Sequence, residues 1–280
     1  MPAQTPKTWS IVLAAAVMGL VASQASGLTV TVDGSPSDWG ITLGPGGSSS
    51  WEPLAGVQGT WGGAEDYTGG DSGFVSPGWG GQGYDAEAVY FTHDVTTAYF
   101  AVVTGFPPSG RDGHEPGDIA LDIGSDSTWD FGIETTGGDG HARGGLYATD
   151  NDDWKSPLLG VSKPWELTSS AADLVAGPPE TELAYLNTAY GSEHYFIEAA
   201  IPLIDLPLHD EGCTDIGIHW TMSCGNDAVN AQVVYCPPTY STPSSVVPEP
   251  ASCTLLGGGL LVLIVSRVRR RSKSQTPERA

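Results

Sequence analysis

Between two largely apolar runs, residues 9–22 near the start and 251–265 near the end, the latter with only Ser252 and Thr254 as polar residues, the hydrophobic residues of this 280-residue chain come in short alternating bursts. Alternation with a period of two, cut by turn residues, is the mark of half-buried strands, and sustained helical periodicity is almost absent. Strands are expected at 28–32, 86–93, 99–106, 118–123, 131–135, 145–149, 181–186, 195–201, 216–224 and 231–236. The polar turn 94–98 between two aromatic and β-branched runs predicts a hairpin. One short helix is expected at 167–175, opened by Thr168 or Ser169 and stopped by Gly177-Pro178-Pro179. Residues 42–83 read as a glycine-rich loop studded with Trp51, Trp61 and Trp79. The fold class that follows is all-β, an antiparallel, jelly-roll-like β-sandwich of about ten strands.

The two terminal apolar runs do not belong to that pattern. Lys7, the run 9–22 and the small residues Ser23, Ala25, Ser26 and Gly27 make a secretory signal peptide, 1–27. The C-terminal run is followed by Arg267, Arg269, Arg270, Arg271 and Lys273. As a helix, its roughly fifteen apolar residues would cover about 23 Å, short of the ~30 Å hydrocarbon core, so it anchors only marginally. The basic cluster stays on the cytoplasmic side, and the body therefore faces outward. A β domain is expected over 28–236, a Pro/Ser/Thr tether over 237–247, the membrane-associated segment over 248–273 and a polar tail over 274–280.

Setting the ends aside makes the charge asymmetry severe. Only Arg111, Arg143, Lys155 and Lys163 remain as bases, against 31 of the 33 acidic residues, a formal body charge of −27. Such a surface repels phosphate backbones, which excludes nucleic acid as a partner class. It suits a saline habitat, plain solubility or divalent cations. An exported body permits disulfides, and Cys213, Cys224 and Cys236 are the candidates, with one bridge among them and the pairing open.

Two resemblances bear on function. Pro248, Glu249 and Pro250, the glycine-bearing apolar run and Arg269, Arg270 and Arg271 resemble, in order and spacing, the PEP-CTERM sorting signal of bacterial surface proteins. The resemblance implies an exosortase-type membrane protease as partner, cutting near Pro-Glu-Pro, and a destination at the cell surface or outside the cell. The extension Ser272 to Ala280 departs from that pattern. The stretch Val32-Asp33-Gly34-Ser35-Pro36-Ser37-Asp38-Trp39 resembles the opening of β-sandwich domains related to family 9 carbohydrate-binding modules and the DOMON group. The strand Gly117 to Asp122 and Glu198-Ala199-Ala200-Ile201-Pro202 extend the likeness. Trp39 is expected to pack into the sandwich core behind the Asp33-Gly34 turn.

Catalytic constellations are scarce. Gly70-Asp71-Ser72-Gly73 lacks the histidine partner segment of a serine protease, and Gly78, Gly80 and Gly83 lack the strand and helix a dinucleotide loop needs. The six histidines show no metal-ligand spacing. Asp150, Asp152 and Asp153 form the densest oxygen cluster, with calcium as the candidate cofactor, and Asp122, Ser125 and Asp126 form a weaker one. Loop tryptophans beside carboxylates suit sugar rings, whose C–H faces stack on indole; Trp51, Trp79 and Trp154 are the candidate ligand-binding residues. The expectation is a non-catalytic surface module that binds extracellular polysaccharide or matrix, with a glycan hydrolase and a purely structural matrix protein as alternatives.

Overall fold

The computed structural model describes residues 30–41, 51, 61–64, 80–188, 193–208 and 212–237. In chain order the strands are β1 (Trp61–Ala64), β2 (Ala86–His93), β3 (Thr97–Thr104), β4 (Ile119–Ile123), β5 (Phe131–Ile133), β6 (Leu146–Ala148) and β7 (Trp154–Lys155). They continue as β8 (Glu166–Leu167), β9 (Asp173–Ala176), β10 (Glu182–Asn187), β11 (Tyr195–Pro202), β12 (Thr214–Thr221) and β13 (Ala228–Tyr235). Every pairing among them is antiparallel. One sheet has five strands in the order β1-β2-β3-β11-β10, a second has six in the order β13-β12-β4-β5-β6-β9, and β7 and β8 form a small hairpin of their own.

Alternation sorts the side chains into three apolar layers. Val89 and Phe91, Phe100 and Val102, Ile197 and Ile201 meet Ile119 and Leu121, Ile216 and Ile218, Trp220 and Val233 between the two sheets. The intervening residues Ala88, Tyr90, Ala101, Val103 and Phe196 are also buried, because Val30, Trp39, Ile41 and Trp51 cover the outer face of the five-stranded sheet. On the outer face of the six-stranded sheet, Ala120 and Tyr147 are covered by Trp154, Leu167 and Ala171. The molecule is thus an all-β sandwich whose outer faces each carry a cap, and the second cap builds the groove described below.

The predicted hairpin of β2 and β3 is present, pinned by the Asp94 carboxylate, which accepts from the backbone of Thr96 (2.7 Å) and Thr97 (2.8 Å). Four expectations need correction. Residues 30–32 form no strand; the Asp33-Gly34 turn instead hands the chain to a 3-10 turn, Pro36–Trp39. Trp39 is fully buried, as expected of a plug, but lies in the outer layer against Tyr90 and Phe196, not between the sheets. The segment 167–175 is no helix: it ends β8, turns, and enters β9. There Thr168 and Ser170 donate from their hydroxyls to Asp153, and Leu146 pairs with Ala176, so long-range partners override the local signal. Finally, β1 rises within the stretch expected to be all loop, where it pairs with β2.

Cys213 and Cys236 form the disulfide, with Cα atoms 4.2 Å apart, one step beyond the terminal pair Thr214 and Tyr235 of β12 and β13. Cys224 is free and buried. Among the described residues no helix is long and apolar enough to cross a membrane. Both terminal apolar runs, and with them Pro248, Glu249, Pro250 and Arg269 to Arg271, lie outside the described residues.

Candidate functional site

A groove of about 310 Å³ opens on the outer side of the six-stranded sheet, lined by Ser127, Trp129, Asn151, Trp154, Lys155, Ser156, Lys163 and Pro164. Three loops build it, and each is held by hydrogen bonds, some within the loop and some from distant residues. After β4 the chain reverses through left-handed conformations at Gly124, Ser125 and Ser127 (φ 97°, 53° and 75°). The Asp122 carboxylate accepts from the backbone of Asp126 (3.0 Å) and Ser127 (2.9 Å), and Asp130 accepts from Ile123 (2.7 Å). Such carboxylate-to-backbone bonds let a short polar residue stabilise a turn that its own φ disfavours.

The second loop follows β6. Asn151 bridges to the first: its side-chain oxygen accepts from Trp129 N (3.0 Å) and its amide donates to Ser127 O (3.2 Å). Trp154 lies flatter, only 8% exposed, over Gly132 of β5. A Cβ at Gly132 would stand 2.9 Å from the Trp154 ring and 2.5 Å from Leu167, so only glycine lets this cap sit on the sheet. Trp129 keeps part of its ring in solvent, tilted over the imidazole of His219 at 5.5 Å between centroids.

His219 ties the groove together. It is buried on β12, and its Nε2 lies 2.8 Å from Pro164 O and 3.1 Å from Ser162 O. Carbonyls only accept, so Nε2 carries the proton and donates to both. Nδ1, the unprotonated nitrogen, accepts from the side-chain amide of Asn230 2.7 Å away, which therefore turns its NH2 to the ring. Burial lowers the pKa of the ring and keeps it neutral. One imidazole therefore supports Trp129 through its face and fixes the backbone on both sides of Lys163 through its edge.

Lys155, between this groove and a second of about 250 Å³, is committed elsewhere. Its ammonium pairs with Asp139 (2.8 Å) and Glu166 and stands 5.4 Å from the centre of the Trp165 ring. Burial raises the pKa of Glu166 against the pull of that lysine, while the lysine lowers that of the exposed Asp139. Below them, Asp118 accepts from the backbone of Thr135 (2.9 Å) and Leu167 (3.0 Å), which fastens the β8 hairpin to the sheet. Its carboxyl is pushed well above the usual range by burial and by the Glu134 charge.

Of the three tryptophans singled out from sequence, Trp154 edges the groove. Trp51 does not join it: at 1% exposure it is a core residue on the opposite sheet, its carbonyl taking the Tyr90 hydroxyl and its ring lying against His194. Trp79 lies outside the described residues. Asp150 and Asp153 spend carboxylate oxygens on their own turn, accepting from Asp152 N and Asp150 N, and Asp153 also accepts from Ser170. Among the described residues no three His, Cys, Asp or Glu side chains converge as a metal site. Trp129 and Lys163 were the residues the sequence left unselected. Trp129 lies between the expected strands 118–123 and 131–135, which marks it as a loop tryptophan, and the rarity of bases in the body is the signal that singles out Lys163.

Comparison with protein-family models, curated proteins and solved structures found no match to this chain.

Proposed function

We propose that the chain is an exported cell-surface or matrix protein whose body is a non-catalytic saccharide-binding module, released or re-anchored by an exosortase-type protease at the C-terminal signal. The observation that carries the binding role is the groove lined by Trp129 and Trp154 together with Asn151, Ser127 and Ser156 as hydrogen-bonding groups. An apolar ring face flanked by a few fixed polar groups is what an amphipathic sugar ring requires. The two sheets support a jelly-roll-like sandwich of the carbohydrate-binding-module type as the finer reading of the fold. Export is supported by the leader-like N-terminal pattern, the sorting-signal pattern and the disulfide between Cys213 and Cys236.

The test is titration of a panel of soluble polysaccharides into the full chain, followed by tryptophan fluorescence. Binding with a spectral shift is expected, and Trp129→Ala should weaken it about fivefold to a hundredfold, since aromatic stacking contributes on the order of 1–3 kcal/mol to ligand contacts of this kind. Because Trp129 is half-buried at a loop, thermal unfolding of the variant should stay close to that of the parent. A panel without binding would defeat the reading. Appearance of new reducing ends would move it to glycan hydrolysis, with Glu166 and Asp139 the first carboxyl pair to replace.

A further inference from the structure

Resting on the saccharide reading of this groove, we infer that its ligand is acidic, a uronate-bearing polysaccharide whose carboxylate is held by Lys163 while the ring it belongs to lies on Trp129. The body has four bases, and three are already engaged. Arg111 pairs with Glu193 at 3.0 Å, the Arg143 Nε donates to Thr135 O at 3.1 Å, and Lys155 is shared by Asp139 and Glu166. Lys163 is exposed and makes no hydrogen bond or ion pair among the described residues, in a body with 31 carboxyl side chains. Its location is not left to a loose loop, because the carbonyls before and after it, Ser162 O and Pro164 O, are both tied to His219. The same imidazole supports Trp129, so cation and aromatic face share one rigid mount.

None of the carboxylates closest in sequence to the groove residues, Asp126, Asp130, Asp150, Asp152 and Asp153, forms one of the ion pairs of the described residues, which are those of Arg111, His141, Lys155 and His194. Asp126 accepts from Thr128 N, Asp150 from Asp152 N, and Asp153 from Asp150 N. The body charge of −27 opposes any anion at long range, but that repulsion is screened beyond about 8 Å at physiological ionic strength, whereas a contact at Lys163 lies well inside that distance and is weakened less. Recognition of an acidic sugar therefore improves, relative to low salt, as long-range repulsion is removed.

The experiment compares oligogalacturonate with a neutral glucan oligomer of equal length, titrated into the full chain in 0.15 M NaCl with EDTA present, by calorimetry. Oligogalacturonate should bind at least tenfold more tightly. Lys163→Met should reduce its affinity by about tenfold to a hundredfold, the effect of one charge-assisted hydrogen bond, and so remove its advantage over the neutral oligomer. Lys163→Arg should retain most of the affinity. Equal binding of both oligomers, or indifference of the uronate to Lys163→Met, overturns the inference while leaving a neutral-saccharide site intact. Binding that vanishes only when EDTA is added also overturns it, since a cation and not Lys163 would then hold the carboxylate. Failure of both oligomers and of the wider panel removes the saccharide reading as well.

Discussion

Glu198 is the least expected residue in the molecule: a carboxylate with no exposed surface, at the centre of the outer layer of the five-stranded sheet. Its Oε1 accepts from Trp39 Nε1 at 2.6 Å, and its Oε2 accepts from the backbone of Asp33 at 3.0 Å and of Gly34. That one side chain locks the 30–41 segment onto β11, and Gly34, at φ 77° with Leu186 pressed against it, allows the turn to come close enough. Burial outweighs the donors and pushes the Glu198 pKa up to about 7 from 4.5. A carboxyl whose folded pKa is raised stabilises most below its unfolded pKa, and that stability is lost as pH rises through the folded value. The stabilisation, on the order of 3 kcal/mol, should fade between pH 4.5 and 7. Relief of the acidic surface works in the same direction, so the diagnostic is a difference. Melting temperatures of the parent should fall more steeply over that window than those of Glu198→Gln, and identical slopes would refute the assignment. The sequence showed Asp33-Gly34 and Trp39 as a turn and a plug, yet it could not show the partner, which lies 159 residues away from Trp39.

At the level of elements, what was legible depended on where a strand draws its stability. The β2–β3 hairpin, β11 and β12 carry long runs of β-branched and aromatic residues and read clearly, because their pattern is intrinsic. The two-residue strands β7 and β8 exist only through each other and through Asp118, so no local pattern announces them. The mistaken helix has a similar cause: Leu167 and Ala171 have helical spacing and are indeed buried together, but a strand followed by a turn delivers them to the same apolar layer. The groove was legible to the same extent. Trp154 could be picked out as an aromatic beside acids, whereas the convergence of Trp129, Asn151 and Lys163 depends on His219 and on pairing between distant strands. The β12–β13 hairpin supports a direct test. Its disulfide closes a 23-residue separation, for which chain entropy predicts about 3 kcal/mol of stabilisation, an upper figure because the hairpin already restrains those ends. Replacing Cys213 and Cys236 by Ser should lower the melting temperature by several degrees. Alkylation of the native chain followed by peptide mapping should leave Cys224 unmodified, since burial also raises its pKa, and should modify it after unfolding. Rapid native labelling of Cys224 would contradict its placement.

Taken as a whole molecule, the body combines a well-filled sandwich with a charge that works against compactness. With 31 acids and four bases, the folded state concentrates like charge that an unfolded chain would spread out. Raising NaCl from about 0.01 to 0.3 M shortens the screening distance from roughly 30 Å to less than 8 Å and should raise the melting temperature by several degrees. A chelator experiment run in parallel separates this from cation binding. If calcium at Asp150, Asp152 and Asp153 contributes, EDTA at constant ionic strength lowers the melting temperature; if screening alone acts, it does not.

The bond between Cys213 and Cys236 also has a mechanical meaning. Cys236 is the last residue before the proline-rich segment, so tension applied from the C-terminal side reaches this bond before it reaches any strand. Without the bond, a pull would peel β13 from β12 one pair at a time, starting at Tyr235 and Thr214. With it, β12 and β13 both lie inside a covalent loop, and the load crosses from Cys236 to Cys213 and on into the chain before β12, so the pairs of this hairpin are left out of the path of tension. A pull on the C-terminal segment therefore cannot unzip the domain from that end while the bond is intact.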